Sequence, residues 1–157
     1  MRFVCCAAHR IRSRNYLSMR FFFRKDQRLH REAEISPIFK EGKRLFVFPV
    51  KCVYRVAHES TDAPRTQVLI VAAKSNLKRA YLRNLAKRRM REAYRLNAPM
   101  LDIPQGLRVQ MALLYVGKNS VAPYSAIEKS VKAIFSGIES HLNNNTNKVD
   151  KQKNTPQ

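Results

Sequence analysis

Between residues 74 and 97 the chain sets nine lysines and arginines against a single acid, Glu92, and still keeps its apolar side chains in register. Advancing about 100° per residue gathers Leu82, Leu85, Ala86, Met90, Ala93 and Leu96 into one arc, with Arg83, Asn84, Lys87, Arg88, Arg91 and Arg95 opposite. The stretch therefore reads as an amphipathic helix with one face on a core and one continuous cationic face outward. Like charges at i, i+4 along Arg83, Lys87, Arg91 and Arg95 cost an isolated helix a few tenths of a kcal/mol each. That local cost makes sense where phosphates sit between them. A basic face is also often mere solvated surface, and nuclear-localisation and membrane-surface readings compete. The small residues Ala86 and Ala93 in the apolar arc suit packing on a sheet better than dipping into lipid. No heptads follow, and Pro99 and Pro104 end the segment, so it is not a zipper-type DNA reader. Arg89 falls inside the apolar arc, where only its stem has an evident use.

The whole chain has 31 Lys+Arg and 11 Asp+Glu in 157 residues, a formal charge of +20. So large an excess repels itself unless a polyanion neutralises it, which points to nucleic acid or an anionic membrane surface. No stretch approaches the roughly 18 consecutive apolar residues of a membrane span. Cys5, Cys6 and Cys52 suit neither a disulfide framework nor paired zinc spacing. His9, His30, His58 and His141 are scattered. A reduced, cytoplasmic setting with no protein-held metal is expected.

Residues 1–24 carry six arginines and no acid, and read as a disordered basic arm outside the fold. A transit peptide, or a start at Met19, are the other readings of that leader, while Phe3 to Ala8 is too short for a secretory signal. Residues 143–157 are polar and read as a loose tail. One domain remains, residues 25–142. Within it Arg28 to Glu41 has helical spacing, interrupted by Pro37 and stopped by Gly42, so this helix should be short, kinked or restarted at Ser36-Pro37. Leu45 to Val56 reads as one strand, with Phe48, Val50, Cys52 and Tyr54 on one face and Pro49 marking an edge or bulge. Val68 to Ala73 is a doubly buried strand and Leu107 to Val116 a third. A last helix should begin near Ser125, capped by Ser125 and Glu128, and run through Ile127, Val131, Ile134, Phe135, Ile138 and Leu142. The order is helix, strand, strand, basic helix, strand, helix: an α+β, αββαβα two-layer sandwich with a small sheet.

The run Arg83-Asn84-Leu85-x-Lys87-Arg88-x-x-Arg91-Glu92-Ala93-Tyr94 resembles the signature of the bacterial ribonuclease P protein subunit family. The resemblance takes in Arg28-Leu29 and Phe39-Lys40-Glu41-Gly42, and covers residues 26–140. Leu85 stands where an arginine would complete the motif's Arg-Asn-Arg triplet, and on the wheel it points towards the core. Lys78-Arg79 replaces a glycine-containing pair, and Ile35 an early aromatic.

The resemblance implies a left-handed βαβ crossover, against the general preference. It also implies that Arg79, Arg83, Asn84, Lys87, Arg88, Arg91 and Arg95 dock on the catalytic RNA. A cleft between the first helix and the sheet would hold the 5′ leader of precursor tRNA, with Arg28, Phe39, Phe48, Tyr54 and Lys74 as leader-binding residues. The residues support this division, since a cationic helix holds phosphates without reading sequence, and Phe39 with Phe48 or Tyr54 would stack on unpaired bases. Taken without the resemblance, Phe39 reads as ordinary core. The acids are too scattered to hold paired metals, so no catalytic residue is assigned, and Mg2+ is expected on the RNA subunit. Neither a small-molecule substrate nor a membrane partner is expected. The rival is a non-enzymatic basic RNA-binding protein, ribosomal or chaperone-like.

Overall fold

Runs rich in β-branched and aromatic residues build a four-stranded sheet from β1 (Lys43–Val47), β2 (Val50–His58), β3 (Thr66–Ala72) and β4 (Leu107–Tyr115), in the order β1-β2-β4-β3. The structure, a computed structural model, describes residues 23–58, 65–104 and 106–153. β1 and β2 are antiparallel, as are β2 and β4, while β3 and β4 run parallel. Parallel neighbours need a crossover, and helix α2 (Ala80–Asn97) supplies it. Helix α1 (Glu32–Glu41) precedes the sheet and α3 (Tyr124–Lys153) follows it.

The period-2 alternation of the strands decides which helix covers which face. Cys52 and Tyr54 of β2, Met111 and Leu113 of β4 and Val68 of β3 turn to one side and form the main core with α2 and α3. Val53 and Ala112 turn the other way and receive Leu29, Ile35 and Ile38 from the α1 region, with Leu69 and Leu114 packed alongside. Each fully buried aliphatic side chain contributes about 1.5–3 kcal/mol. The sheet is thus covered by two helices on one face and by a single short helix on the other, which leaves part of the second face open.

Several expectations are corrected. The stretch from Leu45 to Val56 is a hairpin of two strands, with Phe48 and Pro49 in its turn. Proline has no N–H for the ladder, so the residue read as an edge marker is the turn itself. The sheet accordingly has four strands rather than three, and the order is αβββαβα. Phe23 and Arg24, assigned to the arm, belong with the folded residues: Phe23 packs edge-on against Tyr94 at 5.5 Å. The remainder of the arm lies outside the described residues. A 3-10 turn over Lys25–Gln27 comes before α1, and α1 begins only at Glu32, retaining Pro37 inside it. Ser125 occupies the second position of α3, two residues past the N-cap Pro123 and so unable to cap it, and Glu128 pairs instead with Lys132 at 2.7 Å. α3 continues to Lys153, so residues 143–153 of the expected tail extend a helix already anchored by Ile134, Ile138 and Leu142. Propagation adds one hydrogen bond per residue without a new nucleation cost.

A basic helix face and an aromatic groove as candidate RNA interface

α2 buries Ala86, Met90, Ala93, Tyr94 and Asn97. Tyr94 lies beyond the Met90 edge of the expected apolar arc and Asn97 beside Met90, while Leu82, Leu85 and Leu96 are not among the buried residues, so the helix is rolled by roughly 50° from the orientation those leucines suggested. The roll has a visible cause: Tyr94 fills an aromatic cluster with Phe23 and Phe135, its rings edge-on at 5.5 and 6.2 Å, and the Asn97 amide donates to the Ala93 carbonyl at 2.7 Å.

Rolling the helix redistributes its cations. Arg88 and Arg91 point outward, and with Tyr81, Asn84, Leu85 and Lys87 they line a depression on the exposed side of α2. Leu85, expected in the core, is 36% exposed and belongs to this depression. Lys87 is half-buried on its flank. Arg83 moves to the margin, where its Nη1 donates to the carbonyls of Leu77 at 3.0 Å and Lys78 at 2.6 Å, fixing the loop that leads into the helix. Arg79 is exposed at the N-cap. Arg95 is engaged by Glu92, Nε to Oε2 at 2.9 Å and Nη2 to Oε1 at 2.5 Å. That pair holds the Glu92 carboxyl below the usual carboxylate range and raises Arg95. Arg89, without a role in the sequence reading, donates from Nη1 to the carbonyls of Val121 at 3.3 Å and Ala122 at 2.5 Å. Its stem crosses the apolar margin and its head straps α2 to the segment before α3.

The second surface lies beside α1. Strand register sets Phe46 opposite Lys51, Lys51 opposite Leu114 and Leu114 opposite Val71, one row on the face that α1 covers only in part. The next row, Arg44, Val53, Ala112 and Leu69, lies under α1. On the helix, Glu41 pairs with Arg55 at 3.3 Å. Phe39 lies about 160° round the axis from Glu41, on the flank away from Arg55 and towards the open row. Phe39 and Phe46 thus border one groove floored by Lys51 and Leu114. Phe46 is 60% exposed. Sequence reasoning passed it over, because merging two strands into one hid the alternation that separates Phe46 from Leu45 and Val47.

The other expected leader-binding residues divide. Phe48, 68% exposed in the hairpin turn, and Lys74, exposed three residues beyond Val71, sit at the same end of the sheet as this groove. Arg28 is exposed, but its guanidinium lies over the Phe23 ring at 4.8 Å, drawn to the α2 side of the β3 edge. Tyr54 is corrected: only 1% exposed, it faces the main core, and its hydroxyl is hydrogen-bonded to His141 Nδ1 of α3. It pairs with Lys43 and shares its face with Cys52, the face opposite to Phe46. Among the described residues no three His, Cys, Asp or Glu side chains come together as metal ligands, and no helix is long and apolar enough to cross a membrane.

An α+β sandwich whose crossover helix turns a cationic side to solvent, with a partly open aromatic groove on the other sheet face, defines an RNA-binding protein class. The sequence model of the family Ribonuclease P matches residues 23–139. A ribonuclease P protein component from Porphyromonas gingivalis is 33% identical over 114 residues, 71% of this chain and 82% of that protein. One from Chlorobium phaeobacteroides is 30% identical over 126 residues, 73% and 86% of the two chains. The fold matches the RNase P protein of Staphylococcus aureus (TM-score 0.57, 17% identity, 72% of this chain and 95% of that one) and that of Thermotoga maritima (0.54, 24%, 69% and 94%). The chain belongs to the ribonuclease P protein component family, which acts in tRNA processing.

Proposed function

We propose that the outward side of α2 docks on the catalytic RNA of ribonuclease P, and that the groove between α1 and the sheet holds the 5′ leader of precursor tRNA, promoting endonucleolytic 5′ maturation in the cytoplasm. The observation that carries the reading is the placement of Asn84, Arg88 and Arg91 together on the exposed side of α2, opposite the buried Ala86, Met90 and Ala93. Such a row neutralises phosphates while reading no sequence. Arg79, Lys87 and Arg95 flank it, and Arg83 adds to it through the loop it braces. On the leader side the set becomes Phe39, Phe46 and Lys51, with Phe48 and Lys74 at the groove's end. Stacking on aromatic rings suits an unpaired strand of any sequence.

Phosphodiester hydrolysis in this reading resides on the RNA and its Mg2+. The paired carboxylates of the described residues do not fit a metal: Glu41 and Glu92 are each bound to an arginine and Glu128 to a lysine, on three different helices. The chain's part is to screen charge, position the precursor and raise its affinity. Reconstitution tests it. The protein alone leaves precursor tRNA intact, and adding it to the cognate ribonuclease P RNA at low Mg2+ restores cleavage. No restoration, together with co-purification of ribosomal RNA from cells, assigns the chain to a non-enzymatic RNA-binding role instead.

A further inference from the structure

The most exposed strip of α2 is not purely cationic. Tyr81 is 60% exposed and Leu85, one turn on at i+4, is 36% exposed, on a helix whose other outward residues past Ala80 are charged or polar. Both line the depression that Asn84, Lys87, Arg88 and Arg91 also line. On the helical wheel Tyr81, Asn84, Leu85 and Arg88 fall within an arc of about 100°, directly opposite the buried stripe. These side chains therefore stand furthest from the rest of the protein. Isolated exposed apolar residues need no explanation, but an aromatic ring and an isobutyl group side by side, rimmed by three cations, present a specific combination of chemistry. The rim attracts an anion. The floor takes a flat apolar group. Asn84 beside it offers a donor and an acceptor together.

We propose that the Tyr81–Leu85 notch is a binding site for one unstacked nucleobase of an RNA whose adjoining phosphates are held by Arg88, Arg91 and Lys87. A nucleotide joins the two chemistries the notch offers: a π-face to lie on the Tyr81 ring against Leu85, and a phosphate for the guanidinium rim. The charge around the notch selects that occupant over an apolar peptide or a second copy of this +20 chain, which the same cations repel. The site deepens the reading of α2 as an RNA-docking face and rests on it. It adds a preference for RNA with a base available outside a helix, since a base inside a duplex shows no π-face.

The chain contains no tryptophan, so Tyr81→Trp gives a single indole reporter at an exposed position. Titrating the full-length Tyr81→Trp variant with a 12-nucleotide oligoadenylate should quench the indole emission, while a perfectly paired 12-base-pair RNA duplex should bind and leave that emission bright. Tyr81→Ala should weaken oligoadenylate binding about ten-fold with the slope of log K against log salt unchanged, and Tyr81→Phe should retain wild-type affinity. Equal quenching by both RNAs, unchanged affinity in Tyr81→Ala, or indole emission that is blue-shifted without RNA and insensitive to it, each overturns the proposal. The last of these would mean that protein covers the notch. Loss of reconstituted cleavage is a separate matter: a chain that fails to reconstitute but quenches on oligoadenylate keeps the notch and loses the ribonuclease P reading. Normal cleavage with Tyr81→Ala binding oligoadenylate as well as wild type does the reverse.

Discussion

Arg89 and Ala122 are joined by a 2.5 Å hydrogen bond from guanidinium to backbone carbonyl, with Val121 sharing the same Nη1 at 3.3 Å. One arginine of the basic helix is therefore structural, while its sequence neighbour Arg88 faces solvent. Arg89→Met keeps the stem but deletes the head, and should lower folding stability by about 1–3 kcal/mol as two carbonyls lose their donor. RNA affinity measured on the folded fraction should retain its salt slope. A shallower slope in Arg89→Met would place this guanidinium on phosphate after all.

Phe46 and Tyr54 lie on opposite faces of the sheet and should fail in different assays. Phe46→Ala should weaken binding of leader-bearing precursor tRNA about ten-fold, and binding of leaderless tRNA not at all. Tyr54→Phe deletes the bond to His141 and should cost about 1 kcal/mol of stability with precursor affinity intact. Paired urea melts and filter-binding titrations separate the two outcomes.

Gly42 closes α1 where the helix end descends on β2. A methyl added there would collide with the Ile38 carbonyl oxygen and stand 2.8 Å from Val53 Cγ1. Gly42→Ala should destabilise by about 1–3 kcal/mol through this close approach, read as a lower urea midpoint. An unchanged midpoint would mean that α1 does not sit this low on the sheet.

Burial pushes the Cys52 thiol up from 9.0 to about 12 and the Tyr94 phenol up from 10.0 to about 12. Between those values the unfolded chain has released protons that the folded chain retains. Stability contributed by the buried neutral forms is therefore complete below about pH 9 and declines as pH rises towards 12. Cys52→Ala removes the thiol's share, so its stability should decline less steeply than that of the wild type across about pH 9–11 in urea denaturation. Parallel curves would show the thiol reaching solvent.

Much of the fold was legible because burial leaves a period in the residues. Strand β3, the 107–116 strand and the α3 stripe needed no tertiary information, although β3 is an edge strand with Leu69, Ile70 and Val71 half-buried and not the doubly buried strand expected. The Leu45–Val56 region misled for a definite reason: a two-residue turn built from Phe48 and Pro49 carries none of the Asn-Gly or Asp-Gly chemistry that announces a hairpin. Once two strands became one, the facing of Tyr54 and Phe46 was lost with it. α2 was recognised as amphipathic, but its roll depends on Tyr94 finding Phe23 and Phe135, which no local window contains. That long-range aromatic packing decides why Leu85 is outside and Arg83 is turned to the loop carbonyls. The Arg89 strap was invisible for the same reason, since its acceptors lie 32 and 33 residues away.

The salt dependence of RNA binding examines the outward face of α2 most directly. Titrating the wild type and an Arg88→Ala/Arg91→Ala double variant against the cognate ribonuclease P RNA from about 50 to 200 mM monovalent salt should give log K slopes that differ by about two units, the variant being shallower, with thermal stability unchanged. Identical slopes would place both guanidinium groups away from phosphate and contradict the assignment of this face to RNA.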